Sequence, residues 1–225
     1  MDLQHQGFAS GAQAIVPALD LREAPRARVL IRPAKLICAS GEFVTVVRDI
    51  SARGVRLKTF HLLPDMAGAL LAFSTADAIP VELVWQRDDQ IGLRFISECD
   101  VDRVIAGDGV ISPRPLRISL GLSGRLELNA AHGRIPGGPP LGVTVGIENL
   151  SGRGAGITSP VALAQDQPVR LGTSGMALVA AHVRWRRDHH YGLAFEDTFT
   201  LSEFARIAAR LQAPDLLTGR FLNAG

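Results

Sequence analysis

The sequence predicts an all-β (mainly β) protein made of two tandem copies of one small β-rich domain. A polar turn, Asp49-Ile50-Ser51-Ala52-Arg53-Gly54, sits between two strand-like runs. A near copy, Asn149-Leu150-Ser151-Gly152-Arg153-Gly154, follows 100 positions later (149 − 49 = 100). Trp85, Arg87, Asp88, Gly92, Leu93 and Phe95 recur at the same offset as Trp185, Arg187, Asp188, Gly192, Leu193 and Phe195. Around these motifs apolar and polar residues alternate with the period of two that marks half-buried strands. Two motifs held in one register are the mark of a tandem duplication.

Composition agrees with that organisation. A chain of 225 residues accommodates two domains, each of about 100 residues. With 47% hydrophobic and 20% charged residues it can bury a sizeable core, which excludes a chain disordered throughout. A formal net charge of +2 excludes a global basic field. Lys35 and Lys58 are the only lysines, the other 22 of the 24 basic residues being arginine. Arginine suits bidentate contacts to phosphates and guanine edges, although codon bias produces the same skew. Cys38 and Cys99 stand alone, as small buried hydrophobes do in a reducing compartment. No apolar run reaches the roughly 20 residues of a membrane span. The start, Met1-Asp2-Leu3-Gln4, lacks the basic region of a signal peptide, so the expected location is cytoplasmic with no membrane insertion.

The elements follow in order. Residues 1–19 lack sustained periodicity and read as a flexible N-terminal segment. Arg22, Arg26, Arg28 and Arg32 surround Pro25, which disfavours helix at Ala24 and predicts an extended arm leading into a strand. Lys35 to Cys38 and Phe43 to Val47 read as strands about the turn Ser40-Gly41. After the Asp49 turn, Val55 and Leu57 alternate with Arg56 and Lys58. Ala69 to Phe73 is a further apolar strand. Ile79 to Trp85 places Val81, Leu83 and Trp85 on one face, and Ile91, Leu93 and Phe95 return after Arg87-Asp88-Asp89. Ser97 is placed to cap a short helix, with Asp100 three residues on and Val101, Val104 and Ile105 on one side. Residues 107–113 read as the linker.

The second half repeats this plan and ends with a capping box, Thr200-x-x-Glu203, before Leu201, Phe204, Ile207, Ala208 and Leu211. Upstream the copies differ. Lys35 to Asp49 spans 14 positions (49 − 35), Arg125 to Asn149 spans 24 (149 − 125), and the excess falls in the Gly- and Pro-rich stretch from Ala130 to Pro140.

An Arg-x-x-x-Arg arm, an Asp-x-Ser-x-x-Gly turn, a Trp strand, a Gly-hydrophobic-x-Phe strand and a trailing helix together resemble the PilZ domain. Here the arm is Arg22-Glu23-Ala24-Pro25-Arg26, the turn is Asp49 to Gly54, and the closing hairpin runs from Val84-Trp85 to Gly92-Leu93-Arg94-Phe95. The resemblance covers most of 20–106, with a weaker copy over about 113–212. It implies two six-stranded antiparallel PilZ-type β-barrels, each with a C-terminal helix. The expected layout is a PilZ domain at 20–108, a degenerate PilZ-like domain at 113–215 and a tail at 216–225. The resemblance further implies a bacterial receptor for cyclic di-GMP, not an enzyme, that relays the signal to a protein effector of motility or exopolysaccharide machinery. Cyclic di-GMP is then a ligand, no cofactor or metal is implied, and a homodimer is compatible.

The implied ligand residues are Arg22, Arg26, Asp49, Ser51 and Gly54, and their chemistry fits. Arginine bridges phosphates, reads guanine O6 and N7 or stacks on the base. Aspartate accepts from guanine N1–H and N2–H₂. A serine hydroxyl and turn N–H groups cradle oxygens, and Gly54 permits positive φ and close approach of the ligand. Arg28 and Arg32 share the Arg-x-x-x-Arg spacing, so the phase of the arm stays open. Arg22 and Arg26 are preferred because family arms precede the first strand and often carry a proline before the second arginine.

The second copy departs from the pattern. Aligning Arg125 on Lys35 puts Ser112 and Leu116 opposite Arg22 and Arg26, so this domain is expected not to bind the dinucleotide. Trp85 and Trp185 read as core residues. His182, His189 and His190 surround Trp185 without an acidic or Cys cluster, so they are expected to straddle a hairpin and not to bind a metal. Arg184, Arg186 and Arg187 read as a solvated hairpin and not as a nucleic-acid site. No catalytic constellation stands out. The competing reading is a PilZ-fold protein-interaction adaptor that has lost the nucleotide.

Overall fold

The computed structural model describes residues 27–73, 78–106, 115–128 and 141–217. Arg22, Arg26, the linker and the long loop from Ala130 to Pro140 lie outside the described residues.

Among the described residues, alternating apolar residues give twelve strands, which close into two barrels. The first comprises β1 (Ala27–Cys38), β2 (Gly41–Ser51), β3 (Gly54–Lys58), β4 (Leu70–Ala72), β5 (Ala78–Arg87) and β6 (Gln90–Phe95), followed by α1 (Val101–Ala106). Around the barrel the order is β1-β2-β3-β6-β5-β4. The second comprises β7 (Arg117–Leu128), β8 (Leu141–Ser151), β9 (Gly154–Thr158), β10 (Pro168–Thr173), β11 (Met176–Arg187) and β12 (His190–Phe195), followed by α2 (Leu201–Gln212). Its order, β10-β11-β12-β9-β8-β7, is the same circuit. Closure removes the exposed edges that an open sheet of this size would present. Leu36, Phe43, Ile50, Leu57 and Ile91 fill the first barrel, and Ile118, Leu126, Ile147, Leu150 and Tyr191 the second. No helix among the described residues is long and apolar enough to cross a membrane.

Three local expectations change. The first helix is capped by Asp100, whose Oδ1 accepts from the Arg103 N–H at 3.0 Å, and not by Ser97. The face expected to hold Val81, Leu83 and Trp85 is broken by a bulge between Leu83 and Trp85. That bulge turns Val84 outward and leaves Trp85 42% exposed. Trp185 repeats this at 45%, so neither indole is a core residue. Cys38 and Cys99 are free, and burial, with Asp65 nearby, pushes the Cys38 thiol up to about 11.

The barrels share α2. Its capping box forms as expected, Thr200 Oγ1 accepting from the Glu203 N–H and the Glu203 carboxylate accepting from the Thr200 N–H. Phe204, Ala205 and Ala208 pack into the second barrel's core, while Ala209 belongs to the first barrel's core. Leu217 joins that core and Leu216 packs against it, although the sequence places the tail's start at 216. In return Val44 of β2 is buried with the second barrel. Alanines on two sides of one helix let both barrels approach closely. The Gln212 carboxamide then pairs with the Glu42 backbone like an added strand: Nε2 donates to the carbonyl and Oε1 accepts from the N–H, both at 2.8 Å. The Glu42 carboxylate accepts from the Ser119 N–H at 2.6 Å and from Lys35 at 2.9 Å.

His61 lies in this region, 1% exposed. Its ring is tilted against Phe43 with centroids 5.1 Å apart. Burial lowers its pKa. Between the lowered value and about 6.5, the value of a free imidazole, the unfolded chain binds a proton that the folded chain does not. Stability should therefore be insensitive to His61 above about pH 6.5 and fall below it, by up to about 1.4 kcal/mol per pH unit, until the folded state also protonates. Urea denaturation of the wild type and His61→Phe between pH 5 and 8 measures this. An identical pH profile for the two proteins excludes His61 as the source.

Candidate functional site

The β2–β3 turn is built by Ser51, whose hydroxyl donates to the Gly54 carbonyl at 3.2 Å. Ser151 does the same to Gly154 at 3.1 Å. The tip is tied to the segment leading into α1: the Ala52 and Arg53 carbonyls accept from the Cys99 and Phe95 N–H groups, each at 2.9 Å. Gly54 is not in the left-handed region that the sequence reading allowed for it. Its missing side chain serves a different contact, because a Cβ there would lie 2.5 Å from the Leu93 carbonyl oxygen of β6. The glycine thus permits close strand approach beside the turn.

Register places four residues in one row across the outer face. Asp49 of β2 lies opposite Arg56 of β3, Arg56 opposite Gly92 of β6, and Gly92 opposite Trp85 of β5. Arg56 Nη2 and Asp49 Oδ2 are 2.5 Å apart. The tip of Arg56 is partly exposed, while its Nε is buried and has no hydrogen-bond partner. An exposed ion pair contributes only about 0–1 kcal/mol, and a buried unpartnered donor costs about 1–3 kcal/mol. Fold stability is therefore a poor reason for an arginine here. The Trp85 indole covers Gly92, where a Cβ would fall 2.0 Å from Nε1. Gly92→Ala should lift the indole, shifting Trp85 emission to longer wavelength in a Trp185→Phe background. An unchanged spectrum would contradict this packing.

Of the expected ligand residues, Asp49, Ser51 and Gly54 are brought together at this turn. The row adds Arg56, Gly92 and Trp85, which the sequence reading did not single out as ligand residues. Arg28 lies opposite Asp49 on β1, but a bulge separates it from Arg32. Arg32 turns to α1, where its Nη1 donates to the Val104 carbonyl.

The second barrel carries the same row with different chemistry: Asn149, Gly156, Gly192 and Trp185. The Asn149 amide covers Gly156, where a Cβ would meet Nδ2 at 2.4 Å. Arg117 Nη1 donates to Asn149 Oδ1 at 2.9 Å. Lys35 and Arg125 are equivalent, opposite Val44 and Thr144, an offset of 90 (125 − 35). The bulges change the count upstream, since Ala27 faces Ile50 and Ile118 faces Leu150, an offset of 91 (118 − 27). The residue before each is therefore Arg26 in one copy and Arg117, not Leu116, in the other. Two of the three histidines have one acidic partner each, His182 Nε2 lying 2.9 Å from Glu196 and His190 Nδ1 2.9 Å from Glu148. Among the described residues no group of three or more His, Cys, Asp or Glu is placed to hold a metal ion.

The family model of the PilZ domain matches residues 20–106 and again 113–212. The chain belongs to the PilZ family. Solved structures similar to this PilZ chain include the PlzA protein of Borreliella burgdorferi in complex with c-di-GMP. That alignment has 14% identity and a TM-score of 0.35, and covers 81% of this chain and 88% of that one. YcgR of Escherichia coli in complex with c-di-GMP aligns with 14% identity and a TM-score of 0.32, over 82% of this chain and 85% of that one. The Bacillus subtilis inhibitor of motility (MotI/DgrA) aligns with 10% identity and a TM-score of 0.31, over 83% of this chain and 99% of that one. No curated protein sequence is a significant match.

Proposed function

We propose that the first PilZ barrel is a receptor for cyclic di-GMP, not a catalyst, and relays the ligand's presence to a protein partner in the cytoplasm. The observation that carries this reading is the outward row of Asp49, Arg56, Gly92 and Trp85 beside the Ser51–Gly54 turn. It offers carboxylate acceptors, guanidinium donors and an exposed ring on one face. These are the groups that recognise a guanine by its edges and by its plane. Arg22 and Arg26 precede β1, whose residue Arg28 lies opposite Asp49, and their role is to clamp the phosphates. The engagement of Arg32 with α1 favours that pair over Arg28 and Arg32. Titration calorimetry of the full chain with cyclic di-GMP tests the reading. Binding that is lost in Arg26→Ala and kept in Ser112→Ala supports it. No heat at high micromolar ligand rejects it in favour of a nucleotide-free adaptor.

A further inference from the structure

Building on that receptor reading, we propose that Arg56 is the specificity-determining residue of the site and reads the O6/N7 edge of a guanine whose N1–H and N2–H₂ are held by Asp49. The two side chains face each other across adjacent strands, which lie about 4.8 Å apart. Aspartate only accepts and arginine only donates, so together they complement guanine's two donors and two acceptors. Adenine puts an N6–H₂ donor where guanine has O6, and the guanidinium rejects it. The ion pair with Asp49, at 2.5 Å, holds the fork in place before ligand arrives. The Nε is buried, while the rest of the guanidinium stays partly exposed on the outer face, where a base can reach it. The second barrel supplies the contrast. Gly156 occupies the position of Arg56 and Asn149 that of Asp49, so that strand position carries no fork and the amide offers no second acceptor. The guanidinium at Asn149 is Arg117's, from β7, and it takes up the amide oxygen.

The test is calorimetric titration of the full chain with cyclic di-GMP and its 7-deazaguanine analogue. The wild type should bind the 7-deaza analogue about 10-fold more weakly than the parent, because one arm of the fork loses its acceptor. Arg56→Ala and Arg56→Lys should each weaken cyclic di-GMP by about 10- to 100-fold and bind the analogue and the parent equally. Lysine keeps the charge and removes the fork. A residue that acted only by orienting Asp49 would leave the penalty for losing N7 unchanged in the variants, and that result overturns the proposal. So does a wild type that binds the analogue as tightly as the parent, a result that needs no variant to fold. If the wild type gives no heat with cyclic di-GMP, the receptor reading falls and this role with it. If it binds but ignores the loss of N7, only the role of Arg56 falls.

Discussion

Replacing Ala209 by aspartate is expected to destabilise the folded chain by about 3–5 kcal/mol, the cost of an unpaired charge forced into a core. Ala209 is 0% exposed, and although it sits on the helix of the second barrel its neighbours are the core residues of the first. The methyl group fits because the helix is pressed between two barrels, with Ala208 one residue earlier packed into the other core. A carboxylate at 209 must either stay buried without a partner or push α2 off the first barrel. The second course strips cover from Leu217 and breaks the Gln212–Glu42 pairing. For a chain of this length the melting temperature should fall on the order of 10 °C. Arg210→Ala, on the exposed side of the same helix, should cost less than about 1 kcal/mol. Scanning calorimetry of the two variants decides it, and equal melting temperatures would mean that α2 does not bind the barrels together.

That shared helix was only half legible in the sequence. The period of Leu201, Phe204, Ile207 and Ala208 predicts one buried face, and the capping box fixes the start. The second buried face rests on Ala209, with Ala213 just past the helix end, residues too small to stand out in any hydrophobic pattern. Glu42 and Gln212 are 170 positions apart, and polar residues carry no periodicity that would pair them. The strands, by contrast, were legible wherever alternation is unbroken, as at Ile91, Leu93 and Phe95. It failed at Trp85 because one bulged residue shifts the phase of every outward side chain after it. The bulge between Arg28 and Arg32 shifted the second copy's arm by one residue for the same reason, setting Leu116 where register places Arg117. The turn of the candidate site could be read from Asp49, Ser51 and Gly54 alone. Arg56 could not, because alternation says only that it faces outward, and register is what sets it opposite Asp49.

The unequal rows lead to the sharpest expectation for ligand binding. Asp49→Ala should weaken cyclic di-GMP by about 100-fold or more, whereas Asn149→Ala should leave the affinity within about twofold. Removing the Asp49 carboxylate deprives the guanine's N1–H and N2–H₂ of their acceptor and leaves the Arg56 guanidinium without its partner. Truncating one member of a paired, partly desolvated charge set costs about 2–5 kcal/mol in binding. Asn149 instead faces Gly156 and is occupied by Arg117 at 2.9 Å, so its loss removes no contact to a ligand held on the first barrel. Folding does not confound the comparison. The Asp49–Arg56 pair is only partly buried and contributes about 0–1 kcal/mol to stability, so Asp49→Ala should melt within a few degrees of the wild type. Titration calorimetry and a melting curve on the same two variants separate the outcomes. Equal losses in both variants would place a working site on each barrel, and no loss in either would remove the Asp49 turn from the site.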